Sequence, residues 1–161
     1  MSMVIPKNQM TEEDIKLNFI TPAIQNRGWQ NKITMETKVR FTDGRINLRG
    51  NIISREPAKK ADYVLYIDAN NPIATVEAKD NKHSVSYGLQ QAKEYARMLD
   101  VPFAYSSNGD AFYEHDFLTG LERQIPLDQF PTYEELYKRF KEGANGGQGL
   151  TSLEIDIINQ P

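Results

Sequence analysis

Hydrophobic positions recur at two spacings along this chain, and those spacings divide it into helices and strands. Ile15, Phe19, Ile20, Ala23 and Ile24 follow a helical period. Ahead of them, Thr11-Glu12-Glu13-Asp14 reads as a capping box, with Thr11 as N-cap and acids in the first turn. The helix is expected to run toward Arg27 and stop at Gly28, while Pro22 predicts a bend or restart with Thr21 as a second cap. Trp29, the single tryptophan, is expected to seal the helix end against a sheet, and residues 1–10 to form a loose arm.

Alternation marks the strands. Ile33 to Phe41 alternates, Asp43-Gly44 is a turn, and a poorly patterned stretch with Gly50 and Pro57 follows. Ala61 to Ile67 and Ile73 to Lys79 flank the turn-rich Asp68-Ala-Asn-Asn-Pro72, which predicts a hairpin. Val85, Leu89, Ala92, Ala96 and Leu99 then form a helical stripe that Ser84 is expected to cap, with Gln91 and Tyr95 adjacent at i, i+4. Val101 to Ser106 reads as a buried strand, Ser107 to Asp110 as a turn, Ala111 to His115 as a further strand, and Pro131 to Phe140 as a closing helix. This order predicts an α/β domain with a mixed β-sheet flanked by α-helices. From Gly143 the composition turns glycine-rich, which divides the chain into a domain over 1–142 and a linker over 143–161.

One stretch breaks the hydrophobic pattern. Glu77-Ala78-Lys79 ends an apolar strand with a carboxylate and an ammonium on the same face. Opposed residues of an antiparallel hairpin have numbers with a constant sum. A turn near Asn70 gives a sum close to 140: at 139 Asp62 opposes Glu77, at 141 it opposes Lys79, and at 140 it falls on the wrong face. Two acids and a lysine gathered in this way suit metal-assisted phosphodiester hydrolysis. Asp62, Glu77 and the Ala78 carbonyl could hold a hard divalent cation, and Lys79 could hold a phosphate oxygen or the attacking water. The same residues would equally make an ordinary cross-strand charge pair.

Composition narrows the chemistry. A chain of 161 residues with 39% hydrophobic and 25% charged residues is one ordinary globular domain. Without cysteine it can have no disulfide, thiolate zinc site or cysteine nucleophile, and two histidines argue against a histidine-rich metal centre. No apolar run reaches the ~20 residues that span a bilayer, and a cytoplasmic setting is expected. The net charge of −3 is unevenly spread: residues 38–60 hold seven basic and two acidic side chains, a local +5 that suits a polyanion-binding face. His83 and His115 are expected in loops without catalytic roles, and Asn108-Gly109 as a turn.

Five segments taken together carry a resemblance: Glu12…Ile20-Thr-Pro-Ala-Ile…Gly28-Trp29, Lys60-Ala-Asp-Tyr-Val-Leu-Tyr66, Val76-Glu-Ala-Lys79, Gln91-Ala-Lys-Glu-Tyr95 and Pro102-Phe-Ala-Tyr-Ser-Ser-Asn-Gly109. From Thr11 to Phe140 the chain resembles the PD-(D/E)XK nucleases, and specifically the N-terminal nuclease domain of the R subunit of type I restriction-modification enzymes. The resemblance implies that Asp62 and Glu77 are metal-binding acids, with the Ala78 carbonyl beside them, and that Lys79 is the catalytic lysine. It makes Glu12 the helix carboxylate completing the cluster, with Glu13 as its rival, and gives Gln91 and Tyr95 a DNA-binding or site-orienting role. Ala61 departs from the proline of the family name and leaves the acid intact.

The resemblance further implies a Mg²⁺-dependent endonuclease, with Mn²⁺ as substitute, that cuts double-stranded DNA without reading its sequence. Recognition would belong to a specificity subunit, working with a methyltransferase subunit. ATP would be used only in the full-length subunit, since the chain has no G-x-x-x-x-G-K-[ST] loop and residues 143–161 would lead to a helicase-like motor. The alternatives are a non-catalytic DNA-binding or subunit-docking module of the same fold, and a self-standing restriction-type nuclease.

Overall fold

The structure is a computed structural model that describes residues 5–39 and 59–145. The Asp43-Gly44 turn, Gly50, Pro57 and most of the basic stretch lie outside the described residues, as does the tail from 146. Helix α1 is built from α-helical turns Glu12–Ile15 and Thr21–Ile24 alternating with wider turns Lys16–Ile20 and Gln25–Trp29, the last of which leaves helical geometry at Arg27 and Gly28. The predicted capping box is present: Asp14 N–H donates to Thr11 Oγ1 at 3.1 Å, and Thr11 N–H donates to Asp14 Oδ2 at 3.2 Å. Pro22 has no N–H to continue the helix. The wide turn before it lets Thr21 N–H reach back to Lys16 O, and the helix carries on. Thr21 is therefore no second cap; its hydroxyl instead bonds the Tyr63 hydroxyl at 2.6 Å. Gly28, at φ 90°, ends the helix as expected.

Among the described residues six strands follow, β1 (Ile33–Val39), β2 (Lys59–Asp68), β3 (Asn71–Ala78), β4 (Phe103–Ser107), β5 (Ala111–Asp116) and β6 (Glu122–Pro126). They lie in sequence order in one sheet, antiparallel throughout except for the parallel pair β3–β4. Helix α2 (Leu89–Leu99) makes that crossover, and α3 (Tyr133–Asn145) closes the described chain. A mixed sheet with flanking helices is the expected architecture, but β6 was not foreseen. Four of its five residues are exposed, so it lacks the apolar alternation that announces a strand.

The pleat assigns each strand residue to one of two cores. Tyr63, Leu65, Val76, Phe103, Tyr105 and Phe112 pack against Ile15, Ile20 and Ile24 of α1 and Leu136 of α3. On the other face, Ala92 and Ala96 of α2 pack on Ala104, and Thr75 Oγ1 donates to Ala92 O at 2.8 Å. Trp29 is buried in the core that the helix shares with Tyr63 and Leu65 of the sheet, as expected, and its Nε1–H also donates to Pro131 O. Two other local expectations need correction. Ser84 does not cap α2, which starts five residues later at Leu89 behind Gly88. The N-terminal arm is pinned, because Lys7 Nζ donates to Gly109 O at 2.7 Å and pairs with Asp110 at 2.9 Å.

Helix α3 is held by a buried charge cluster. Glu114, 2% exposed, accepts from Tyr105 Oη at 2.6 Å, Arg123 Nε at 2.9 Å, and both Arg139 terminal nitrogens at 3.0 and 3.1 Å. Arg139 also reaches Asp116 at 2.9 Å and lies over the Phe103 ring. Gly143 lies in this same helix, where a Cβ would meet Leu118 Cδ1 at 2.6 Å. Its lack of a side chain thus serves close packing.

Arg139→Ala leaves Glu114 buried with its main countercharge gone, and lowers the urea midpoint by the equivalent of about 3–5 kcal/mol. Arg123→Ala, on the exposed end of the same carboxylate, costs about 1 kcal/mol or less.

Candidate active site

The hairpin register decides which side chains meet. Tyr63 pairs with Val76, Val64 with Thr75 and Leu65 with Ala74, a constant sum of 139 that places Asp62 opposite Glu77. Extending the row, Met35–Tyr63 and Thr37–Ala61 pairing puts Glu36 opposite Asp62, and Glu77 pairs with Ser106. Glu36, Asp62, Glu77 and Ser106 therefore lie abreast across four strands.

Regular pairing between β2 and β3 stops at Tyr63–Val76, and carboxylates take over. Asp62 N–H donates to Glu77 Oε2 at 2.9 Å, and Ala78 N–H donates to Asp62 Oδ2 at 2.7 Å. Each acid thus holds an amide that the ladder leaves, which fixes both carboxylates against the backbone. Glu77 is only 4% exposed. Burial, and then the charge of Asp62, push its pKa well above the usual carboxylate range. The Glu12 carboxyl, at the start of α1, is raised by burial and then by Asp62, and Lys79 acts on it in the opposite sense. Glu13 is exposed and pairs with Lys16 at 3.4 Å, so of the two rivals Glu12 is the one drawn into the site.

Lys79 follows β3 on the same face as Glu77. Its Cε and the Glu77 Cβ lie 3.4 and 3.3 Å from where a Cβ on Gly88 would stand, with Ser106 Oγ at 3.0 Å. Only glycine allows the start of α2 to come this close. Gly88 N–H donates to Ser106 Oγ at 2.9 Å, tying the helix to the strand beside Glu77. Along α2, Gln91 Nε2 donates to Tyr95 Oη at 3.1 Å, as their i, i+4 spacing predicts. Burial, followed by the charges of Glu77 and Asp62, raises the Tyr95 phenol to about 12. The sheet supplies Asp62, Glu77 and Lys79, α1 supplies Glu12, and α2 brings Gln91 and Tyr95.

Two cationic and steric features were not read from the sequence. Lys16 is 5% exposed and pairs with Glu36 at 2.7 Å and Asp62 Oδ1 at 3.6 Å. A signal existed: Lys16 falls among Ile15, Phe19 and Ile20 on the apolar side of α1. Gly88 and Ser106 carry no such signal, because their closeness depends on the β3–α2–β4 crossover. His83 and His115 pair with Asp80 and Glu122 at 2.9 and 2.7 Å.

The donor set suits a hard divalent cation. A buried carboxylate, Glu77, lies beside the partly buried Asp62 in an environment that opposes its charge, and a cation there would relieve both. Among the described residues no three His, Cys, Asp or Glu side chains are preset to grip a metal ion.

Comparison with known proteins finds relatives of one kind. Residues 30–101 match the family described as the type I restriction enzyme EcoKI endonuclease subunit, second domain, a span that includes Asp62, Glu77, Lys79, Gln91 and Tyr95. The chain is 40% identical over 157 residues to the type I restriction enzyme EcoAI endonuclease subunit of Escherichia coli, covering 95% of this chain and 19% of that protein. A solved fragment described as an HsdR subunit of a type I restriction enzyme from Vibrio vulnificus superposes with TM-score 0.70 at 37% identity. That match covers 94% of this chain and 28% of the other. The chain therefore spans about a fifth of the length of the curated relative.

Glu77 gives the apo protein a distinct pH response. Its folded pKa lies above the unfolded value near 4.5, so over the interval between them the native state keeps a proton that the unfolded chain releases. Stability conferred by the protonated form is complete below the unfolded pKa and is lost as pH rises through the folded one. In chelator, Glu77→Gln raises Tm relative to the parent chain at pH 8, and the difference vanishes near pH 5, as scanning calorimetry can check.

Proposed function

Over nearly its whole length this chain is homologous to one part of the endonuclease, or HsdR, subunits of type I restriction enzymes, and on that premise we propose that it is their divalent-metal-dependent nuclease domain. The observation that carries the reading is the opposed pair Asp62 and Glu77, each fixed by the other strand's backbone, with Lys79 two residues on. The substrate is double-stranded DNA, cut without sequence readout by this domain. Specificity and methyltransferase subunits supply recognition, and an ATP-driven motor in the full-length subunit supplies translocation in a cytoplasmic assembly.

Asp62, Glu77 and the Ala78 carbonyl would hold Mg²⁺, or Mn²⁺ in its place, with Glu12 contributing from α1 through water. The ion supplies Lewis acidity toward the scissile phosphate and lowers the pKa of attacking water. The chain's own residues do the rest. Lys79 offsets the negative charge that builds on the phosphoryl oxygens as the bond to the leaving oxygen breaks. Asp62 and Glu77 are preorganised by the amides they hold, so little reorganisation accompanies the reaction. Tyr95, buried and bonded to Gln91, fixes the wall of the site next to both acids. A docking module would have no use for a buried carboxylate beside a second one, an arrangement that costs stability unless a cation compensates it. No helix among the described residues is long and apolar enough to cross a membrane.

In the assembled enzyme, Asp62→Ala, Glu77→Ala and Lys79→Ala each lower DNA cleavage by roughly 10²–10³-fold or more while ATP hydrolysis is retained. Joint loss of both activities would show a folding defect, and unimpaired cleavage in Asp62→Ala or Glu77→Ala would refute the reading.

A further inference from the structure

Lys16 is a buried charge for which the nuclease reading has no use. It projects from the π-helical turn of α1, and its ammonium is surrounded by acids from three elements: Glu13 at 3.4 Å, Glu36 at 2.7 Å and Asp62 Oδ1 at 3.6 Å. Glu36 reaches it from an unusual backbone. It takes φ 54° in the middle of β1, a left-handed conformation that a non-glycine residue adopts at a cost. The register places this distortion directly opposite Asp62, and the pairing skips that position. The strand is bent out of its regular path where its carboxylate can meet Lys16. Asp62 consequently has one oxygen on the Ala78 amide and the other facing the ammonium.

We propose that Lys16 is a built-in counter-ion that competes with the divalent cation for Asp62, and that Glu36 sets the strength of that competition by drawing the ammonium away. The inference rests on the metal-dependent nuclease reading above and concerns the control of the same site. With no divalent cation, Lys16 offsets the charge of the Asp62–Glu77 pair and keeps the acids packed. When the cation arrives, the ammonium keeps its ion pair with Glu36 and gives up its approach to Asp62. Lys16 is a positioning residue, acting through Asp62, and its effect is to keep metal affinity low until a phosphate adds further ligands.

The two members of the pair have opposite signatures, which a purely structural role would not produce. Titration of the 161-residue chain with Mn²⁺ by calorimetry should show tighter binding in Lys16→Met, by about tenfold or 1.4 kcal/mol. Glu36→Gln should bind several-fold more weakly, because the Lys16 ammonium, released from its 2.7 Å ion pair, moves onto Asp62. Weakening in both variants, or no change in either, would overturn the proposal. Glu36 is half-exposed, so its variant keeps the fold and carries the test alone if Lys16→Met does not fold. Binding that is present in the parent chain and absent in Glu77→Ala, without the opposed shifts, removes only the role of Lys16. Absence of Mn²⁺ binding in the parent, or equal binding in Glu77→Ala, removes the metal reading and this inference together.

Discussion

Two hydrogen bonds organise the functional end of this sheet: the Asp62 amide on the Glu77 carboxylate, and the Ala78 amide on the Asp62 carboxylate. They occur where β2 and β3 cease to pair, so each acid takes an amide that the regular ladder has left. Backbone amides in a buried place must find acceptors. Here the acceptors are the two carboxylates proposed to hold the cation, and the strand ends and the candidate site are stabilised by one and the same contact. The cost falls on Glu77, whose charge is opposed by burial and by its neighbour. An arrangement that the apo fold tolerates with difficulty is one that a cation improves, a common relation between stability and function.

A second buried carboxylate shows the contrast. Glu114 is as deeply enclosed as Glu77, yet two arginines and a tyrosine hydroxyl meet it, and its pKa goes down: burial pushes upward but the bonds from Arg139 and Tyr105 outweigh it. This acid is structural and ties α3 to the sheet. Glu77 instead has the charge of Asp62 acting on it, which adds to burial in raising its pKa. Burial alone does not separate the two roles; the sign of the nearest charge does.

Around the acids, the layers contribute according to reach. Helix α2 can approach β3 and β4 only because Gly88 has no side chain, and Ser106 then captures its amide. Helix α1 lies on the opposite face and reaches the same row of residues with Glu12 and Lys16. The site is thus assembled at one end of the sheet from both covering layers, as polar sites at the margins of α/β sheets commonly are.

By itself, the sequence determined what depends on local chemistry and on counting along the chain. Thr11 with Asp14, Gly28, the hairpin, the helical stripe of α2 and the Gln91–Tyr95 contact all follow from local spacings, and the short turn limited Asp62 to facing Glu77 or Lys79, a choice the strand register settled for Glu77. Tertiary structure decided everything that required knowing which segments pack together. Ser84 lost its capping role, Lys7 was pinned to Gly109, and β6 formed without apolar alternation by pairing along β5. Lys16, Glu36, Gly88 and Ser106 joined the site because positions 36, 62, 77 and 106 fall abreast in the sheet, an alignment set by pairing between strands far apart in sequence.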